Sequence, residues 1–174
     1  MNAIELYRHL LHRSHEFFEG TVAGVTTEQS TWDPPGNAFS IAANYVHVVG
    51  SEDLAVQRLL QGKELLATTS WAGKTGVSEL PPLGPGGDLK AWSREAKADL
   101  PALQRYGQAV YAATDDYLAS LTPDALDRPV DLSGVGLGQQ TVLFLLTALV
   151  ANTSMHCGEI SCLKGLQGLK GYPA

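Results

Sequence analysis

The sequence predicts an all-α protein, a four-helix bundle with a long crossover connection between helices two and three. Three observations carry that reading. Apolar residues recur at three- and four-residue spacings in separate stretches, which is the period of helices with one buried face. The 18 glycines and 9 prolines gather mainly in three stretches between them. The connection at residues 62–87 is long enough to let consecutive helices run parallel, which a simple up-and-down order does not need. At 174 residues the chain reads as one domain, residues 1–174, able to bury a core without disulfides or a structural metal.

Helix one is predicted from residue 5 to about 25, with Leu6, Leu10, Phe17, Phe18 and Val22 on its apolar stripe. His9, His12 and His15 follow at i, i+3 steps that drift by about 60° each, so they read as a partly solvated stripe rather than a shared ligand set. Thr26-Thr27-Glu28-Gln29 has the capping-box pattern of a short turn, and Trp32-Asp33-Pro34-Pro35-Gly36-Asn37 then forbids regular structure. Ser40 is the expected N-cap of helix two, residues 41 to about 61, whose apolar set includes Ile41, Tyr45, Val48, Val49, Val56, Leu59 and Leu60. His47 lies within it, as either a hydrogen-bonded core residue or a ligand.

Residues 62–87 lose the helical period, with Pro81-Pro82 and Gly84-Pro85-Gly86-Gly87 and room for one short helical piece. Gly73-Lys74-Thr75 is not a phosphate loop, because Thr68 stands where that pattern needs glycine and no strand precedes it. Gly134, Gly136 and Gly138 likewise lack the dinucleotide spacing. Asp88 can cap residues 89–98, and Asp99 with Pro101 starts a helix to about residue 120, with Leu103, Tyr106, Val110, Ala113, Tyr117 and Leu121 at helical spacing. A turn at Thr122-Pro123-Asp124-Ala125-Leu126 leads into a loop at residues 128–138. The order helix, Thr-led turn, proline loop and histidine-bearing helix thus occurs twice, a weak internal repeat.

The last helix is predicted over residues 141–164 and begins with an apolar run, 141–151, that would be buried on most of its circumference. That run is shorter than the roughly 20 apolar residues a membrane span takes, so it reads as a core helix and no membrane partner is expected. Asn152 and His156 then fall one turn apart, about 40° from each other on one face, and can share a partner. With His47 they form the candidate metal site. Cys157 and Cys162 lie on diverging faces, about 7.5 Å apart along the axis, and cannot form a disulfide without breaking the helix.

Composition narrows the tasks. The chain is 44% hydrophobic and 17% charged, and its net charge of −6 offers no basic patch for a phosphate backbone, so nucleic acid is not an expected partner. The N-terminus has neither a basic n-region nor an apolar h-region with a cleavage site, from which a cytoplasmic location is expected.

The stretches FSIAANYVHVVGSED, with His47, and ANTSMHCGEISCLKG, with His156, occur in an order that resembles the DinB/YfiT-like superfamily of helical bundles regarded as metal-dependent. Thr26-Thr27-Glu28-Gln29 and the 121–126 turn resemble the short segments before that family's loops. The resemblance runs from helix one through helix four and implies a four-helix bundle with a long connection after helix two. It also implies a three-histidine site, one from helix two and an H-x-x-x-H pair from the last helix. Here the pair reads Asn152-x-x-x-His156, and an amide oxygen is a weaker ligand than imidazole for zinc or nickel, though it can hold a metal-bound water.

The better understood members of the family resemble thiol transferases, in which a divalent metal lowers the pKa of a low-molecular-weight thiol that attacks a small-molecule electrophile; others isomerise substrates with a thiol cofactor. Two readings follow. In the first, His47 and His156 bind a metal with Asn152 beside them, and Glu159 completes the metal's shell, orients an imidazole or is a solvated carboxylate. In the second, His47, Asn152 and His156 are a hydrogen-bonded cluster in a metal-free binding or dimerising module. The family habit also implies a homodimer.

Overall fold

Helix α1, Ala3–Val22, starts where Asn2 and Glu5 form a capping box, the side chain of each accepting the other's backbone N–H at 2.9 Å. The computed structural model describes residues 2–82 and 88–173 of the chain. The helix ends a few residues short of the expected limit, because Gly24 at φ +79° turns the backbone away. Its last carbonyls are received from inside the bundle, where the buried Lys164 ammonium donates to Thr21 O at 2.7 Å and Ala23 O at 3.3 Å. The short helix α2, Thr27–Thr31, has the predicted capping box between Thr26 and Gln29.

Helix α3, Ile41–Asp53, is capped by Ser40, whose hydroxyl accepts the Ala43 N–H at 3.2 Å. The sequence predicted one uniform helix to about residue 61. Instead the winding widens into a π-helix over Leu54–Leu60, a geometry whose apolar spacing a sequence pattern does not separate from α. Glu52 and Asp53, both 1% exposed, stand at the junction.

Asp53 then fastens the start of the crossover. Its two carboxylate oxygens accept the N–H groups of Leu66 and Ala67, each at 3.0 Å, and the Tyr106 hydroxyl at 2.7 Å. Leu66–Thr68 is the short helical piece, a single 3₁₀ turn. Farther on, Gly76 at φ +88° lies against the start of the next long helix, its carbonyl accepting the Asp99 N–H at 2.7 Å. A Cβ there would sit 2.8 Å from Asp99 O, so only glycine fits the approach. The Gly84-Pro85-Gly86-Gly87 stretch lies outside the described residues.

Helix α4, Leu89–Glu95, is capped by Asp88 as expected but is shorter than residues 89–98. Lys90 and Arg94 tie it to Asp33, and the Trp92 indole donates to Glu79 O at 3.0 Å. Helix α5, Leu100–Ala119, begins at the Asp99 cap with Pro101 in its first turn. After a 3₁₀ turn at Pro123–Asp127, the expected loop holds a small antiparallel hairpin, β1 Pro129–Asp131 and β2 Gln139–Thr141, with Val130 opposite Gln140. Three-residue strands are too short to show an alternating pattern, which is why the sequence reads as loop.

Helix α6, Val142–Leu166, starts at Thr141, whose hydroxyl accepts the Phe144 N–H. The bundle consists of α1, α3, α5 and α6, with α1 and α3 each packed on both α5 and α6. Phe18, Tyr45, Leu103 and Ile160 centre one apolar cluster; Leu11, Val56, Leu118 and Leu146 centre another. The expectation that the run 141–151 is buried on most of its circumference does not hold. Leu143, Phe144 and Met155 are exposed, because a helix flanked by α1 and α3 still has an outer face. By length and composition α6 could cross a membrane, yet here it is a wall of the bundle, with Ile160 and Leu146 fully buried.

Candidate metal centre

The two histidines singled out from the sequence meet. Helix α3 presents His47 and helix α6 presents His156, with ring centroids 4.8 Å apart in an edge-on arrangement. Asn152, one turn before His156, lies on the same side, close enough for its amide to act on the His47 imidazole. The i, i+4 spacing on α6 therefore does what it suggested: both polar groups turn to the same facing helix.

His156 is held from two directions. Its Nδ1 lies 2.9 Å from Asn44 Oδ1 and 2.9 Å from Glu159 Oε2. Both partners are acceptors, so Nδ1 carries the proton and Nε2 keeps its lone pair. Of the sequence readings of Glu159, the contact favours the orienting one. Asn44 was missed, although it precedes His47 by three residues and so shares its face; its amide is otherwise spent on the Ser40 carbonyl at 3.1 Å.

His47 is exposed at the edge of the site. Loss of solvent around the ring, followed by the nearby His156, holds its pKa below the ordinary imidazole value, while the Asn152 amide acts in the other direction. A neutral imidazole is the form that ligates a metal. The Asn152 amide nitrogen is buried and has no hydrogen-bond partner among the described residues. One end of that amide is therefore uncommitted, and an amide can offer either its oxygen or its NH₂ group at such a place.

Judged by donor chemistry, two imidazoles backed by a carboxylate suit a divalent ion, and the uncommitted amide is a weak third donor. Among the described residues, no group of three or more His, Cys, Asp or Glu side chains is gathered as a metal cluster. The fit is thus to a site of two strong ligands rather than three. Beside the pair is a cavity of about 260 Å³, with Phe39, Val46, Leu54, Pro81, Pro82 and Trp92 in its walls. The crossover, through Pro81-Pro82, and α4, through Trp92, thus border the site, which no sequence pattern indicated. Cys157 faces elsewhere, buried, its thiol pKa pushed up to about 11 by desolvation.

A bundle in which two long helices bring polar donors together beside a small apolar cavity belongs to the helical-bundle class that builds its sites between facing helices. The sequence pattern of the DinB superfamily matches residues 10–160, most of the chain, and the chain belongs to that superfamily. The fold is also that of a conserved protein from Enterococcus faecalis, whose crystal structure superposes with a TM-score of 0.80 at 21% identity, covering 95% of this chain and 97% of that one. No curated protein matches the chain.

Proposed function

We propose that the chain is a divalent-metal-binding member of the DinB superfamily that takes zinc or nickel at His47 and His156, with Asn152 as a weak third donor, and that it acts as a thiol S-transferase. The observation that carries the reading is the clamp on His156. Asn44 and Glu159 together fix the proton on Nδ1 and leave Nε2 free beside the ring of His47. A hydrogen-bonded core histidine has no need of two acceptors on one nitrogen.

A divalent ion at this position would supply a lowered pKa for a low-molecular-weight thiol that binds it. The chain's own residues provide the rest: apolar walls from Phe39, Leu54 and Trp92 for the organic part of a small substrate, and Pro81-Pro82 at the border to limit its size. Cys157 is not the reacting thiol, since its burial favours the protonated form. A task that uses a reduced small thiol fits the cytoplasm, the location this reading assigns.

The test is the metal content of untagged protein after loading with zinc or nickel, with His47→Ala and His156→Ala alongside. About one ion per chain is expected in the parent and none in either variant. A parent that retains no metal overturns the reading. Glu159→Gln should bind the same ion with roughly 10- to 100-fold lower affinity, the usual cost of losing an orienting carboxylate.

Asn152 favours a second reading, a metal-free binding or dimerising module, because it stands where the family pattern has histidine. Asn152→His separates the two: metal acquired only by that variant would make the parent a degenerate site. For dimerisation, the exposed Leu143, Phe144 and Met155 of α6 are the surface we assign to a second copy. Sedimentation should give a dimer, and Met155→Glu should dissociate it; a monomer at high concentration overturns this assignment.

A further inference from the structure

Two cavities of the bundle differ in kind. The larger, about 560 Å³, is a cleft between α1 and α5 with Glu5, Arg8 and Asp115 in its wall. His15 borders it too. The sequence placed His15 on a partly solvated stripe, and His9 and His12 are exposed, but His15 is buried, its Nε2 2.8 Å from Oε2 of the buried Glu52. The cavity of about 260 Å³ beside the histidine pair has no Asp, Glu, Lys or Arg in its wall among the described residues. Residues 83–87, outside that description, contain none by sequence. Lys90 and Arg94 of α4 are both drawn off to Asp33, and Glu159 turns to His156 Nδ1. A charged group set against Phe39, Leu54 and Trp92 would lose its hydration with no countercharge from these walls.

Gly50 lines the same cavity. It stands inside α3 with an ordinary helical backbone, where glycine is the poorest helix former after proline, so its presence asks for a reason. Packing against the protein does not supply one. A Cβ built on Gly107 of α5 would lie 2.4 Å from the Tyr45 hydroxyl, so that glycine lets two helices approach; a Cβ on Gly50 would meet no heavy atom within 4 Å. The space that a side chain at Gly50 would enter is the cavity. With Ala43, about two turns earlier on the same wall, Gly50 leaves α3 bare of bulk there. A flat ring can lie against a helix so bared, and Phe39 and Trp92 offer it aromatic contact. The volume is just below the range of about 300–1,000 Å³ common for ligand pockets, so the group is small.

We propose that the cavity beside the histidine pair holds a small uncharged aromatic group, and that Gly50 is the residue that admits it. As the organic part of a thiol acceptor this group rests on the metal reading above; as a ligand of the cavity it does not.

Trp92 borders the cavity, whereas Trp71 packs on Tyr106, so NMR of protein carrying ¹⁵N-labelled tryptophan reports occupancy. The zinc-free chain at pH 8 is titrated separately with benzyl alcohol, benzoate and benzylammonium to about 50 mM, beyond the millimolar Kd of a weak ligand. With benzyl alcohol the Trp92 indole signal should move and saturate while that of Trp71 stays; the two ions should move neither. Gly50→Leu should abolish the saturation by filling the space, with its Trp71 signal still that of the parent. Gly50→Ala should unfold at no lower a urea concentration than the parent, alanine being the better helix former. Saturation with benzoate or benzylammonium overturns the uncharged class, and no saturable shift with benzyl alcohol overturns the site. Unchanged saturation in Gly50→Leu overturns the role of Gly50. So does a Gly50→Ala protein less stable than the parent, since glycine would then serve the backbone where α3 passes into the π-helix. Zinc content is read apart. A chain that binds benzyl alcohol but no zinc supports the cavity assignment and overturns the metal centre, whereas one that binds zinc but not benzyl alcohol overturns the cavity assignment alone.

Discussion

His47 and the two cysteines show how the environment of a single residue becomes measurable. The lowered pKa of His47 means that the native state binds protons less readily than the unfolded chain. Its contribution to stability is therefore complete above the unfolded value near pH 6.5 and is lost as pH falls through the lower folded value. The urea midpoint of the parent should drop between pH 7.5 and 5.5 by more than that of His47→Gln. Cysteine reactivity is a second check. Cys162 is exposed, whereas the Cys157 thiol is buried and its pKa raised to about 11, so a thiol reagent at pH 8 should modify one cysteine in the native protein and both in denaturant. At this scale the sequence was informative for His47, Asn152 and His156, because helical spacing alone puts the last two on one face. It was silent on the His15–Glu52 pair. Those residues are 37 positions apart on different helices, and only the assembly of α1 and α3 on α5 and α6 decides that they meet.

Elements were legible wherever a capping side chain or an apolar period announced them. Ser40, Asp88, Asp99 and Thr141 each cap a helix through a hydrogen bond to the third residue beyond. The π-helix at Leu54–Leu60 was not legible, nor was the hairpin of β1 and β2, since the first keeps an apolar pattern and the second is too short to make one. Asp53 is the residue through which one element holds another, joining α3 to the crossover and to α5. Asp53→Asn keeps its volume but replaces one acceptor with a donor facing a backbone N–H. It should cost about 1.5–3 kcal/mol in urea unfolding, the range for a hydrogen bond to a charged group, and should speed amide exchange at Leu66 and Ala67.

For the molecule as a whole, the all-α bundle was legible because burial of a stripe on each helix leaves few arrangements, and the DinB superfamily match agrees with it. The extent of burial was not. An apolar run such as residues 141–151 says that a helix avoids water, not how many neighbours it will find, and α6 finds α1 and α3 with a face to spare. Both cavities likewise arise between elements distant in sequence. The wall beside the histidine pair joins Phe39, Leu54 and Trp92, and the cleft joins α1 to α5.

The fastening of the crossover has a kinetic consequence. Asp53 reaches the Leu66 amide across 13 residues, and Ser78 reaches the Lys97 amide across 19, so a long excursion of the chain is closed in two short steps. Closure entropy grows with the logarithm of loop length, and contacts between near neighbours form before distant ones. The first half of the crossover can therefore assemble on α3 while α5 is still unplaced, and the search that remains is for helices to dock rather than for a long loop to find its ends.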